Sequence, residues 1–211
     1  MATKLSLPKK AGVKRPRIGG WNKGKLVGPK KPFTTDQVFL IEATLKADPS
    51  TTAIRDRALF RFAIDTMLRS IDLRAVSWSQ VIAKSGGVVD SFQVRQQKTG
   101  NVVTCFLQDK CKEALQAYWV EAAGFNADPV FPLCHKTYSR IVKQCAAIAH
   151  LDPADYSTHS LRRTKATVVY NKTKDVEIVR QMLGQKTLGA TAVYLGIGKA
   201  EVAQAAKDNQ L

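Results

Sequence analysis

Long apolar runs are absent from this chain of 211 residues. A membrane-crossing helix takes about 20 consecutive apolar residues, and no segment approaches that, so no membrane span is expected. Residues 1–10 also lack the apolar centre of a secretory signal, which points to a cytoplasmic protein. Cysteine is sparse. Cys105, Cys111, Cys134 and Cys145 form no C-x-x-C pair and have no histidine at zinc-finger spacing, so reduced, structural thiols are expected. Histidine is rarer still, limited to His135, His150 and His159. Acidic side chains are missing entirely from residues 1–35, which hold ten basic ones.

That last absence shapes the charge of the whole chain. The formal net charge is +16, and residues 36–211 carry 23 basic against 17 acidic side chains, a net of only +6. A segment rich in Lys, Pro and Gly buries too little apolar surface to fold alone. Residues 1–32 are therefore expected to form a disordered basic arm that meets a polyanion, nucleic acid being the commonest. Its expected DNA contacts are Lys9, Lys10, Lys14, Arg15, Arg17, Lys23, Lys25, Lys30 and Lys31. A merely solubilising arm is the alternative.

With 45% hydrophobic residues, the remaining chain is long enough for one domain with its own core, placed at residues 33–197. Thr34-x-x-Gln37 is a capping box that opens a helix through about Ala47. Asp48-Pro49-Ser50 breaks it, and a second helix is predicted from about Thr52 to Leu68, leaving Arg69 where that helix runs out. The middle reads as β-structure: Val81-Ile82, Val88 to Arg95 and Val102 to Leu107, with Lys98-Thr99-Gly100-Asn101 as a hairpin tip. Helices are then predicted over about 110–123, 136–149, 159–171, 175–183 and 187–195. Residues 198–211 form a C-terminal segment with a short helix over 199–207. The class is α+β, mainly α, with a small antiparallel sheet.

One cluster of residue types carries chemistry. His159 and Arg162 are three apart and so share a helix face. Leu183-Gly184-Gln185 follows, and Tyr194 comes nine residues after Gln185. An arginine fork grips a phosphate, a histidine moves a proton and a tyrosine hydroxyl is a nucleophile. Each alone has an ordinary structural role: surface ion pair for Arg69, helix cap or core group for His159, packing for Tyr194.

Taken in order, Arg69-Ser-Ile-Asp72-Leu73, the Lys98 hairpin, His159-Ser-Leu-Arg162-Arg163-Thr164, Leu183-Gly184-Gln185 and Tyr194 resemble the catalytic domain of the tyrosine recombinases, the phage-integrase family. The resemblance implies site-specific DNA strand exchange through a 3′-phosphotyrosine, with no metal or nucleotide cofactor. It implies that Tyr194 attacks, Lys98 protonates the leaving 5′-oxygen, and Arg69, His159, Arg162 and Gln185 hold the transition state. Arg163, on another helix face from Arg162, is expected to be a DNA-backbone or surface contact. The implied partners are double-stranded DNA, three further copies of the chain in a tetramer on paired sites, and accessory DNA-bending proteins. The C-terminal segment is a candidate protomer-exchange helix.

Two features depart from the family pattern. Gln185 stands where a histidine or tryptophan is usual; it donates a hydrogen bond but carries no proton or charge. The layout also reads as a short form without the N-terminal core-binding domain. Two other readings therefore stay open: a catalytically impaired DNA-binding member of the same fold, and an enzyme like the type IB topoisomerases.

Overall fold

The computed structural model describes residues 29–122, 128–197 and Lys207. The arm positions Lys9, Lys10, Lys14, Arg15, Arg17, Lys23 and Lys25, and the helix expected over 199–207 apart from Lys207, lie outside the described residues.

Local capping chemistry sets most element boundaries. Helix α1 (Thr35–Ala47) begins where Thr34 accepts from the Gln37 amide and Gln37 accepts in turn from the Thr34 amide. Helix α2 (Thr51–Thr66) starts at the Ser50 cap and stops at Met67, whose backbone turns left-handed at φ 49°. That is two residues sooner than the sequence predicts. Arg69 consequently sits as N-cap of a one-turn helix, α3 (Ser70–Leu73). Its extended backbone departs from the helical path, so its side chain is free to leave the α2 face.

The next segment corrects an expectation. Val81 is no strand residue; it closes a helical turn, α4 (Trp78–Val81), and Ile82 makes only an isolated bridge to Val88. Side-chain bonds explain the difference: Gln80 accepts from the Ser77 amide at 3.0 Å, and Asp128 accepts from the Trp78 amide at 3.0 Å. Trp78 is then buried against Trp119 and Tyr118, at centroid distances of 4.9 and 5.6 Å. Regular strand begins only at Ser91. Strands β1 (Ser91–Arg95) and β2 (Val102–Phe106) pair antiparallel, with Phe92 opposite Cys105 and Val94 opposite Val103. Alternate residues of each are buried, as period-2 geometry requires.

Helices complete the domain: α5 (Asp109–Ala122), α6 (His135–Ile148), α7 (Thr158–Thr173), α8 (Val176–Leu183) and α9 (Leu188–Leu195). The main core gathers side chains from α1 to α7 and both strands, including Phe60, Phe62, Phe131, Leu115, Tyr138 and Leu161. A smaller cluster of Met67, Ala166, Val179 and Leu183 seats α8 and α9 on α7, with half-buried Tyr194 and Leu195 packed against it. The smaller cluster is what places Tyr194.

Buried polar links lock α7 to the body. Lys165 donates to the Asp65 carbonyl at 3.1 Å, and the Phe33 amide donates to the Thr164 hydroxyl at 3.0 Å. Cys105, Cys111 and Cys145 are buried free thiols and Cys134 is an exposed one. Among the described residues no helix is long and apolar enough to cross a membrane.

Candidate active site

A cleft of about 490 Å³ opens where the hairpin, the start of α7 and the end of α9 meet. Arg69, Lys98, His159, Arg162, Gln185 and Tyr194 all line it, joined by Lys30 and Arg163. Residues spread over more than a hundred positions thus converge on one concavity.

The first turn of α7 is fixed by Ser157, which accepts from the His159 amide at 3.3 Å and donates its own amide to Ser160 at 3.1 Å. This presents His159 at the cleft rim and turns Arg162, only 2% exposed, inward. Burial, then the charges of Arg162 and Arg69, push the His159 pKa below its usual 6.5, which favours the neutral ring. Arg162 donates through Nη2 to the Leu183 carbonyl at 2.8 Å. Its Nη1 is buried with no hydrogen-bond partner among the described residues. Burial lowers its pKa to about 10, which still leaves it charged. A buried cation with an unspent donor is costly until an anion reaches it.

Tyr194 sits over these charges. Its ring centroid lies 6.0 Å from the Arg162 guanidinium carbon and 5.6 Å from that of Arg163. The hydroxyl makes a long bond, 3.5 Å, to the His159 carbonyl. Burial raises its pKa to about 12 against the opposing pull of Arg162 and Arg163. Arg163 itself is 7% exposed. The expected surface position is therefore corrected: α9 folds across that face of α7 and covers it.

Gln185 is held at both ends. Its backbone amide donates to the Arg180 carbonyl at 3.1 Å, and its own carbonyl accepts from Arg180 Nη1 at 2.8 Å. Its side-chain oxygen accepts from the buried Thr191 hydroxyl at 2.6 Å. Gln185 thus lines the cleft with its side-chain oxygen already engaged. Lys98 is exposed on the hairpin loop, a compact cation on a long flexible stem.

Of the expected arm, Lys30 reaches the cleft and donates to the Ala154 carbonyl at 2.5 Å, while Lys31 pairs with Asp155 at 2.6 Å. A further basic surface escaped the sequence reading. Lys136, Arg140 and Lys143 are exposed on α6 and line a second hollow with His135. Their spacing of four and three residues was the available signal.

This fold and this cleft define a class, and the chain belongs to the phage integrase family, whose sequence model matches residues 31–201. It is 36% identical over 169 residues to the tyrosine recombinase XerD of Xanthomonas axonopodis pv. citri, across 73% of this chain and 55% of that protein. It is 25% identical over 161 residues to the tyrosine recombinase XerH of Campylobacter jejuni, across 73% of this chain and 44% of that one. The chain thus spans about half the length of these relatives. Among solved structures its fold is similar to that of XerA recombinase (TM-score 0.67, 18% identity, 87% of this chain and 65% of that one). It is similar also to XerH bound to palindromic difH substrate in a post-cleavage complex (TM-score 0.67, 16% identity, 84% and 52%). The likeness bears out the mainly helical catalytic-domain fold with its small antiparallel sheet.

Proposed function

We propose that this chain carries the catalytic centre of a site-specific DNA recombinase that cuts and rejoins DNA through a 3′-phosphotyrosine. The observation that supports this best is the convergence of two arginines, a lysine, a histidine and a half-buried tyrosine on one cleft.

In this reading the scissile phosphate enters between Arg69 and Arg162, and the unpaired Nη1 of Arg162 takes one non-bridging oxygen. Tyr194 attacks phosphorus as its proton passes to neutral His159. The P–O5′ bond breaks, and Lys98 gives the leaving oxygen a proton. Rejoining reverses each transfer, and the phosphodiester energy is kept in the protein–DNA bond. Charge accumulating on the equatorial oxygens is met by fixed guanidinium groups and the Gln185 amide, which need no reorganisation. Because Gln185 is asked only to donate, its replacement of an imidazole or indole is compatible with activity.

Lys30, Lys31 and the basic arm are assigned to the DNA backbone, and the exposed α6 stripe to the same duplex. Strand exchange needs two sites, so a tetramer on paired DNA is the working assembly, with DNA-bending proteins as helpers. In a cell this places the protein in the cytoplasm, on the nucleoid when bound.

Nicked suicide duplexes that tile the DNA beside the gene test the reading, with the wild type and Tyr194→Phe resolved on a denaturing gel. A covalent adduct with the wild type alone is expected. Salt-sensitive binding without any adduct would favour the impaired, DNA-binding reading. Relaxation of supercoils at single sites without recombinants would favour the topoisomerase-like one.

A further inference from the structure

Gln96 lies behind the cleft, 1% exposed, between the hairpin and α8. A buried primary amide is tolerated only when its donors and acceptors are used, and the partners of this one are telling. Its oxygen accepts from Arg69 Nη1 at 2.5 Å and from the Thr99 hydroxyl at 2.8 Å. Its nitrogen donates to the Leu183 carbonyl at 2.9 Å, the same oxygen that takes Arg162 Nη2 at 2.8 Å. The Gln96 backbone closes the hairpin, donating to Asn101 and accepting from Gly100, both at 2.8 Å. One side chain therefore ties together Arg69, the loop that bears Lys98, and the carbonyl that anchors Arg162.

We propose that Gln96 is a positioning residue that sets Arg69 and the Lys98 hairpin in register with Arg162. The inference rests on reading the cleft as a phosphotyrosine site. Residue type supports it. A carboxylate here would also accept from Arg69, but it would cancel the charge that a phosphate needs and would have no donor for Leu183. An amide holds the arginine and leaves its charge intact. Gln96 touches no reacting atom; it acts through Arg69, through Thr99 beside Lys98, and through Leu183.

Gln96→Met, similar in volume but without the three side-chain bonds, tests this beside Gln96→Glu and Tyr194→Phe. Adduct formation is timed at saturating protein on nicked duplexes with oxygen or sulfur at the bridging 5′ position. A thiolate leaves without a proton, so sulfur removes the demand on Lys98. Misplacement of catalytic groups by about 1 Å costs on the order of 10²-fold. The expected result is a loss of that order for Gln96→Met on the oxygen substrate, a clearly smaller loss on sulfur, and unchanged DNA affinity. Gln96→Glu, which keeps both acceptor bonds, is expected to lose rate on both substrates through Arg69. Wild-type rates in Gln96→Met would overturn the inference alone. Equal losses on oxygen and sulfur would overturn the link to Lys98. A wild type that forms no adduct would overturn the phosphotyrosine reading, and the inference with it.

Discussion

Tyr194 begins with a handicap as a nucleophile, since burial lifts its pKa to about 12. At neutral pH almost no phenolate is present, so the hydroxyl needs an acceptor for its proton. His159 fits because its pKa is pushed the other way, below 6.5, by burial and by Arg162, Arg69, His135 and Lys98. The folded chain therefore holds the neutral ring more readily than the unfolded chain does. Between the two pKa values the unfolded state binds more protons, so this group's penalty on stability grows as pH falls through that window. Activity follows the same sign. Under limiting DNA, which reports the free protein, adduct formation is expected to decline on the acid side with an apparent pKa below 6.5. His159→Gln should flatten that limb. An acid limb centred above 6.5, or one unchanged in His159→Gln, would remove His159 from the proton's path.

At the scale of elements, the site hangs on how α8 ends. Gly184 is the left-handed residue after α8, at φ 60°, and its amide closes the helix onto Arg180 and Gln181. A Cβ there would lie 2.4 Å from Val103 Cγ1 and 2.8 Å from Gln96 Nε2. Both neighbours are buried, so neither gives way easily. Gly184→Ala should lose about 1–3 kcal/mol to overpacking and roughly 1 kcal/mol more to the left-handed backbone. A lower melting temperature is expected together with slowed adduct formation, because the displaced carbonyl of Leu183 anchors Arg162. Melting within a degree or so of wild type would show that β2 and α8 are less tightly apposed than described. Parts of this arrangement were legible in the sequence. The cap at Thr34 marked a helix, and the three-residue spacing of His159 and Arg162 put both on one helix face. Other parts were not. Helical spacing says that Arg163 faces away from Arg162 but not that α9 will cover it. Gln96 meets Leu183 across 87 residues, and no local pattern records that. Val81-Ile82 looked like strand by β-branching alone, whereas Ser77, Gln80 and Asp128 turned the segment into a helical turn.

Over the whole molecule, charge is divided between two jobs. In the proposed reaction the cleft uses a few cations whose placement decides the rate, while most of the +16 lies elsewhere. Eight basic residues fall within residues 1–28 alone, and Lys136, Arg140 and Lys143 add an exposed stripe on α6. Phosphate contacts of this kind supply affinity without reading sequence. They act by releasing counterions, so log affinity falls against log salt with a slope of about −0.9 per phosphate neutralised. If half of the ten basic residues in 1–35 meet phosphates, the arm contributes a slope of about −4 to −5. Replacing the eight cations of residues 1–28 by glutamine should then make the measured slope shallower by about 3–4. The preference for a cleaved site over a scrambled duplex should stay as it was, and so should the adduct rate at saturating protein. An unchanged slope would mean that the arm is a solubilising segment and that α6 and the cleft carry the electrostatics. A changed site preference would mean instead that the arm reads bases.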